Sequence, residues 1–212
     1  MSLVKFIFEQ FEDDIELKDL HKIDRDRIIY NQLKKKAERK FKRIASGTAR
    51  VVYEFKDDMA IKDGKNDKGI AQNEVEYNLG TDRFAEDMVT KVYYGAENLS
   101  FIIAEKAEKL RVADFKRITG IEWKQFIEVV DHLENVNNPR TSYRDPSEEV
   151  EELFSNEFVN EFEQFVGNFG LTEVMGDFKR ISSYGVVNRD YGDDVVLTDY
   201  GLTKEVYKKH YI

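Results

Sequence analysis

Three residues in different parts of the chain lie in local patterns that suit phosphate chemistry. Lys62 ends the apolar run of residues 59–61, and an ammonium group on such a strand could bridge phosphate oxygens. Gly47 interrupts an earlier β-rich run, and a glycine there lets backbone amides approach a phosphate closely. Asp199 follows the apolar residues 195–197, so its carboxylate could hold a hard cation at a turn. Together these residues predict a site for phosphates and a cation.

A lysine that faces the interior from a strand requires an anionic partner, because an unpaired buried charge is costly. The helix predicted after Lys62 supplies two candidates, Glu74 and Glu76. These residues lie about 200° apart around a helix, so at most one of them can face the lysine. Their spacing does not decide whether Glu74 or Glu76 pairs with Lys62.

The hydrophobic pattern indicates which elements position these residues. Residues 40–106 predict a five-stranded antiparallel sheet with one inserted helix. The later residues predict mainly helices, and a hairpin delivers Asp199. The predicted strands cover residues 44–55 (interrupted at Gly47), 59–62, 88–95, 99–104, 184–187 and 195–198, and the predicted helices cover residues 24–41, 69–79, 112–133 and 148–169, the last ending near Gly170.

Two further segments are polar. Residues 34–42 are strongly basic and predict a solvated helix face, with a docking surface for an acidic partner or nucleic acid as the alternative. Residues 135–145, which contain Pro139 and precede Pro146, predict a mobile loop.

Composition excludes several classes of protein. The 212 residues are 41% hydrophobic and 13% aromatic, which favours a folded α+β protein over a disordered or fibrous one. A net charge of -9 disfavours nucleic acid as a partner. The chain has no cysteine, so disulfides, thiolate zinc sites and a cysteine nucleophile are excluded. With no long apolar run and no signal-peptide pattern at the start, we expect a cytoplasmic protein without a membrane partner.

The ordered set of motifs resembles the protein-kinase-like superfamily, in a very short form similar to kinase-like proteins predicted in phage genomes. The resemblance rests on three patterns, which are the nucleotide-loop positions Ala45, Gly47, Arg50 and Val52, the V-A-I-K-like Met59, Ala60, Ile61 and Lys62, and the D-F-G-like Asp199, Tyr200 and Gly201. Arg50 stands where the loop pattern has a glycine, and its side chain either is exposed or reaches a phosphate.

The resemblance implies ATP and Mg²⁺ as cofactors, bound between two lobes. Lys62 would hold the α and β phosphates, with Glu76 as its first partner and Glu74 as its second. The segment 102–107 resembles the hinge, in which Ala104 is the gatekeeper and the backbone groups of Glu105 and Ala107 meet the adenine.

The remaining implied roles belong to the second half of the chain. Asp199 and Ser183 would bind the metal, and Asp177 would orient the acceptor hydroxyl. This half also departs from the family pattern. Position 182, five residues after Asp177, is a serine where the family has asparagine, and no histidine precedes Asp177. Asn188 is the second choice for that ligand. Only eleven residues follow Gly201, so we expect no activation segment to dock a peptide substrate.

We therefore expect an α+β, reduced two-lobe, kinase-like fold. Its parts are an N-terminal extension (residues 1–43), a sheet lobe (44–107) and a truncated helical lobe (108–212). The expected function is nucleotide binding with Mg-dependent phosphoryl transfer from ATP to an unknown small-molecule or protein acceptor. Three alternatives stay open, which are a catalytically inactive pseudokinase that binds a partner protein, nucleotidyl transfer, and an acidic α+β interaction module of another fold. If the chain is phage-encoded, its place is the host cytoplasm.

Overall fold

The computed structural model describes residues 41–56, 58–136, 147–171, 175–201 and 203–211, together with Lys35 and Arg39. These residues fall into two compact units. The first runs up to Thr81 and resumes for Lys91–Lys106, and the second comprises Asp82–Thr90 and the chain from Ala107 onward. Most of the predicted helix 24–41 and most of the polar loop 135–145 lie outside the described residues.

The first unit is an antiparallel sheet with one helix inserted between its third and fourth strands. The strand order is β1-β2-β3-β5-β4, and every neighbouring pair is antiparallel. This confirms the predicted sheet and its inserted helix. The elements are β1 (Arg43–Ser46), β2 (Arg50–Lys56), β3 (Met59–Gly64), α1 (Asp67–Gly80), β4 (Val92–Gly95) and β5 (Phe101–Glu105).

Helix α1 begins and ends at side-chain caps. The Asn66 side chain accepts a hydrogen bond from the Gly69 amide, and the Thr81 hydroxyl donates to the Tyr77 carbonyl at 2.7 Å. Tyr77 packs against a buried sheet cluster of Val92, Ile102 and Ala104. Three polar residues are nevertheless among the buried positions of the helix, which are Gln72, Asn73 and Glu76. The inner face of α1 is therefore polar where it meets the strand that carries Lys62.

The second unit combines helices with a three-stranded antiparallel sheet. Its sheet order is β6-β7-β8, and a short 3-10 turn at Ile181–Ser183 leads into β7. The strands are β6 (Glu108–Lys109), β7 (Tyr184–Arg189) and β8 (Gly192–Leu197), and the helices are α2 (Val112–Thr119), α3 (Trp123–Val136), α4 (Glu148–Leu153), α5 (Glu157–Asn168), α6 (Met175–Phe178) and α7 (Lys204–Tyr211). The sequence did not predict β6 or α7.

Aromatic residues form the core of the second unit. The Phe126 ring lies 5.4 Å from Phe115 and 4.9 Å from Phe162, measured between ring centroids. All three rings are fully buried, and such edge-to-face and tilted pairs add to the stabilisation from area burial. Phe158, Phe162 and Phe165, in the helix predicted for residues 148–169, therefore belong to this core.

Two predicted long helices are each divided in the structure. The run 112–133 breaks at Gly120, whose φ of 80° is in the left-handed region and ends α2. The run 148–169 breaks after Leu153, and α5 starts anew because the Asn156 side chain accepts from the Val159 amide. Gly170, with φ 62°, follows the end of α5 as predicted.

The segment Asp82–Thr90 differs from its sequence interpretation. The strand predicted over residues 88–95 begins only at Val92, and Val89 instead forms an isolated parallel bridge with Leu197. The Thr90 amide donates to the Leu197 carbonyl at 3.0 Å, and the Leu197 amide donates to the Met88 carbonyl at 2.8 Å. These bonds place the segment in the second unit, although the sequence groups it with the first sheet.

The described part of the chain contains no helix that is both long enough and apolar enough to span a membrane.

Candidate functional site

Lys62 and Glu76 form a buried ion pair in the first unit. Lys62 lies in β3 and Glu76 in α1, and the Lys62 Nζ lies 2.5 Å from Glu76 Oε2. Glu76 is fully buried and Lys62 is 6% exposed, whereas Glu74 is exposed. The structure therefore brings Lys62 to Glu76 and leaves Glu74 at the surface.

Arg50 is a second cation on the same carboxylate. Its Nη2 lies 2.7 Å from Glu76 Oε1, so each carboxylate oxygen faces one cation. The sheet register explains this, because Arg50 pairs with Gly64 and Val52 pairs with Lys62, which puts Arg50 and Lys62 on one face. Of the two alternatives for Arg50, exposure is wrong, since only 9% of the residue is accessible.

The two cations decide the charge state of Glu76. Burial by itself would raise the pKa of this carboxyl, but the charges and hydrogen bonds of Arg50 and Lys62 outweigh burial and lower the pKa below its usual value. Glu76 is therefore ionised at neutral pH, and the cluster couples β2, β3 and α1 electrostatically.

Asn73 connects this cluster to the rest of the first unit. Its Nδ2 donates to the carbonyls of Leu99, at 2.9 Å, and Lys62, at 3.3 Å, and its Oδ1 accepts from Arg50 Nη1 at 3.5 Å. Asn73 is fully buried. No role was predicted for Asn73 from the sequence, although its position three residues before Glu76 puts both residues on one helix face.

Gly47 lies in the connection between β1 and β2, which we call the 46–49 turn after its residues. Its amide donates to the Arg50 carbonyl at 2.9 Å, and the turn is exposed except at Ala49. A Cβ added at Gly47 would meet nothing within 4 Å, and its φ is not positive. The described protein itself therefore does not require glycine at this position.

Glycine is required on the other side of this turn, at Gly69 in α1. A Cβ at Gly69 would lie 2.2 Å from the Ala49 carbonyl oxygen, closer than any real contact. The first turn of α1 consequently packs directly against the backbone of the 46–49 turn. This role of Gly69 was not predicted from the sequence.

The hinge candidates lie at the end of β5 and just after it. The Glu105 amide donates to the Lys91 carbonyl at 2.8 Å, so that amide already has a partner within the protein. Ala107 is half-buried, and Ala104 is fully buried in the cluster with Val92 and Ile102. The chain passes from the first unit to the second between Lys106 and Ala107.

Asp177, Ser183 and Asp199 come together in the second unit. The buried Ser183 hydroxyl donates to the Asp177 carbonyl at 2.8 Å. The Ser183 carbonyl in turn accepts from the Thr198 amide at 2.8 Å and from the Asp199 amide at 3.4 Å. One serine therefore fixes the backbone at both acidic positions, which are 22 residues apart in sequence by their numbering. Asn188, the second choice for a ligand, bonds instead to Asp193 on the hairpin.

The two carboxylates of this set repel each other. Burial raises the pKa of Asp177, Arg180 lowers it, and the negative charge of Asp199 raises it further, with a net upward shift. Arg180 Nη1 lies 3.2 Å from Asp177 Oδ1, but the arginine side chain is 70% exposed and screened by water. The mutual influence of the two carboxylates agrees with the backbone bonds that bring them together.

Asp177 and Asp199 carry the type of ligand atom that a magnesium ion requires. Mg²⁺ is commonly held by one or two carboxylates, with waters and phosphate oxygens completing its shell, and two neighbouring carboxylates provide that set. Within the described ranges, no group of three or more His, Asp or Glu side chains could hold a metal by protein ligands alone. The Ser183 hydroxyl donates its proton to the Asp177 carbonyl, and its oxygen keeps lone pairs, so Asp199, Ser183 and Asp177 all stay candidate ligands.

Tyr200 anchors the residues after Asp199. Its ring is buried, and its hydroxyl donates to the Thr90 carbonyl at 2.8 Å. Tyr200 thus bonds to the same segment, Asp82–Thr90, that pairs with Leu197 at the end of β8. This arrangement fixes the backbone on both sides of Asp199.

Comparison with known proteins gives no family assignment. No protein-family model and no curated protein matches the chain. Among solved structures, a ternary complex of APH(2")-IIa with streptomycin and ATP matches with a TM-score of 0.35 and 14% sequence identity, over 82% of this chain and 70% of that chain. At this TM-score and identity, the match assigns no function to the chain.

Proposed function

We propose that this chain is a kinase-like protein that binds ATP with Mg²⁺. The observation that carries the proposal is the buried Lys62–Glu76 ion pair, with 2.5 Å between Nζ and Oε2. The sequence predicted a strand lysine with an acidic partner on the next helix because those residues suit phosphate binding. The reduced kinase-like fold and the phage-type form of the resemblance are part of the same proposal.

Within this proposal, Lys62 contacts the phosphates. Its ammonium is a compact cation with three N–H donors, one of which is directed at Glu76. Glu76 holds the ammonium in place, and Arg50 and Asn73 hold Glu76. A cation positioned in this way stabilises the negative charge of phosphate oxygens without reorganising at the moment of reaction.

The acidic residues of the second unit supply the other roles. Bound Mg²⁺ would neutralise phosphate charge, with Asp199 as its ligand. Asp177 would accept a hydrogen bond from an acceptor hydroxyl and orient it. A raised pKa makes its carboxylate a better proton acceptor near neutral pH. The acceptor is a hydroxyl compound of unassigned class, either a small molecule or a protein.

The first test is a thermal-shift titration with ATP, with and without Mg²⁺, because a ligand that binds only the folded state raises Tm. We compare the natural chain with Lys62→Ala and Asp199→Ala, and use Lys42→Ala and Asp193→Ala as matched controls. Lys42 is an exposed surface lysine of the first unit, and Asp193 lies on the hairpin of the second. Circular dichroism establishes that each variant is folded.

We expect a magnesium-dependent rise in Tm that both controls retain. Lys62→Ala should lose the response to ATP itself, and Asp199→Ala should lose only its dependence on Mg²⁺. No rise at saturating ATP in the natural chain would contradict the proposal. Because Lys62 belongs to the first unit and Asp199 to the second, each part of the proposal has its own variant.

A second candidate function is binding of a partner protein by a catalytically inactive kinase-like chain. Position 182 favours it, because an exposed serine stands where the family pattern has a metal-binding asparagine. The buried Ser183 next to it is hydrogen-bonded to backbone. ATP binding without measurable phosphate transfer or hydrolysis, unchanged in Asp177→Asn, would favour this candidate over a transferase.

A further inference from the structure

Lys65, in the connection between β3 and α1, is hydrogen-bonded to the 46–49 turn. Its Nζ donates to the Gly47 carbonyl at 2.6 Å and to the Ser46 hydroxyl oxygen at 2.9 Å. Its backbone amide donates to the Ala49 carbonyl at 2.8 Å. The neighbouring Asn66 adds a bond of 3.4 Å from its Nδ2 to the Thr48 carbonyl. The turn is therefore held in place by an ammonium group that lies against its exposed residues.

The charge on Lys65 is not neutralised by its partners. A lysine ammonium has three N–H donors, and two of them bond to neutral oxygens of the turn. Within the described part of the chain, no carboxylate forms an ion pair with Lys65. This leaves one N–H and a full positive charge at the turn, in contrast to Lys62, which is paired with Glu76.

The turn also has open space beside it and hydroxyl groups that can donate hydrogen bonds to a ligand. The space beside Gly47 is open, since a Cβ there would meet nothing within 4 Å. Because the Ser46 oxygen accepts from Lys65, the proton of that hydroxyl can be donated elsewhere. Thr48 is exposed and carries a second hydroxyl. An ammonium with nearby hydroxyl donors matches the oxygens of a phosphate group.

We propose that Lys65 adds a second phosphate-binding cation to the nucleotide loop predicted from the sequence, so that Lys65 and the 46–49 turn form an anion site for the polyphosphate of a nucleotide. The inference rests on the proposed function, because it assigns a second phosphate-binding cation to the same ligand. Lys65 would act directly, by donating its remaining N–H to a phosphate oxygen while its other two bonds keep the turn closed. Inorganic pyrophosphate has the same chemistry without the nucleoside, so it serves as the second probe.

Calorimetric titration with ATP, ADP, AMP, adenosine and inorganic pyrophosphate tests this site. The variants are Lys65→Met, which keeps the unbranched side chain up to its last atom but removes the charge, Lys65→Arg, and Lys42→Met as a control lysine of the same unit. We expect Lys65→Met to weaken ATP binding about tenfold or more, as the loss of a charged hydrogen bond predicts. Adenosine binding should stay unchanged, Lys65→Arg should recover part of the affinity, and Lys42→Met should match the natural chain.

A second control separates charge from a loosened turn. Asn66→Ala removes an uncharged bond to the turn and the cap of α1, so it perturbs the turn without changing its charge. We expect it to lower Tm but to leave the ATP dissociation constant within about twofold, on the scale of one lost neutral contact. An equal loss of affinity in Asn66→Ala and Lys65→Met would overturn a direct role for the ammonium.

The probes distinguish this inference from the proposed function. If the natural chain binds ATP and Lys65→Met binds it equally well, the anion site is wrong while nucleotide binding stands. If pyrophosphate binds and Lys65→Met loses it while ATP does not bind, the anion site stands and the proposed function fails. If neither probe binds the natural chain, both are wrong.

Discussion

The charged candidate site residues of the first unit are positioned differently from those of the second unit. In the first unit, Lys62, Arg50 and Glu76 are buried and are held mainly by one another across two strands and a helix. In the second unit, Asp199 is exposed and Asp177 is half-buried, and backbone bonds through Ser183 position them. Removing one member of a buried charge cluster leaves the others without a counter-charge and destabilises the fold, whereas exposed or half-buried charges positioned by backbone can be changed with less effect on folding. Stability and function should therefore separate more cleanly in the second unit.

The strongest test of this difference is removal of the shared carboxylate in Glu76→Gln. The change leaves Lys62 and Arg50 buried without their counter-charge, and breaking a buried pair in this way costs about 3–5 kcal/mol. Urea unfolding measures the loss, with Glu74→Gln as the matched control on the exposed side of α1. We expect the control to stay within about 0.5 kcal/mol of the natural chain. Equal effects of the two changes would show that the buried cluster does not stabilise the first unit.

A smaller effect is expected for Ser183→Ala in the second unit. The substitution removes one hydroxyl that donates to the Asp177 carbonyl, a loss of about 0.5–1.5 kcal/mol. Ser182→Ala, at the exposed neighbouring position, should have almost no effect on the free energy of unfolding. The same pair of variants tests the predicted role of Ser183 as a metal ligand. If that role is wrong, Mg²⁺ dependence of the Tm rise with ATP persists in Ser183→Ala.

The smallest expected effects are on the pH dependence of stability, to which Glu76 and Asp177 should contribute with opposite signs. The folded-state pKa of Glu76 is lowered, so its contribution to stability is present above the unfolded pKa and is lost as pH falls through the folded pKa. The folded-state pKa of Asp177 is raised, so this group lowers stability as pH rises from the unfolded to the folded pKa. Asp177→Asn should therefore gain stability relative to the natural chain at pH 7 and lose that gain at pH 3.

Carboxyl ¹³C NMR titration checks the cause directly. Asp199→Asn should lower the pKa of Asp177, because it removes the negative charge that raises it. Asp193→Asn is the control, since Asp193 bonds to Arg117 and Asn188 on the hairpin. A pKa of Asp177 that responds equally to both substitutions would contradict a specific interaction between Asp177 and Asp199.

Several features of the fold could be predicted because they depend on local pattern. The β-rich and apolar runs in residues 44–62 and 99–104 indicated strands, and Gly170 marked the end of α5. The two long helices were predicted to be continuous, and this prediction was wrong. Gly120 and Asn156 break them, but a single glycine or asparagine within an apolar stripe does not decide between a kink and a break. The isolated bridge between Val89 and Leu197 could not be predicted either, because it joins residues about a hundred positions apart.

The sequence by itself determined that a strand lysine, a helix acid and a late Asp-Tyr-Gly would occur in that order on α+β elements. The tertiary structure decided that Glu76 rather than Glu74 meets Lys62, that Arg50 is buried on the same carboxylate, and that Lys65 closes the 46–49 turn. It also decided that Ser183 joins the backbone at Asp177 to the backbone at Asp199. The physical reason is that periodicity specifies which face of an element is buried, whereas the partners of a buried charge depend on strand register and helix packing. Those are set by contacts between residues far apart in the chain.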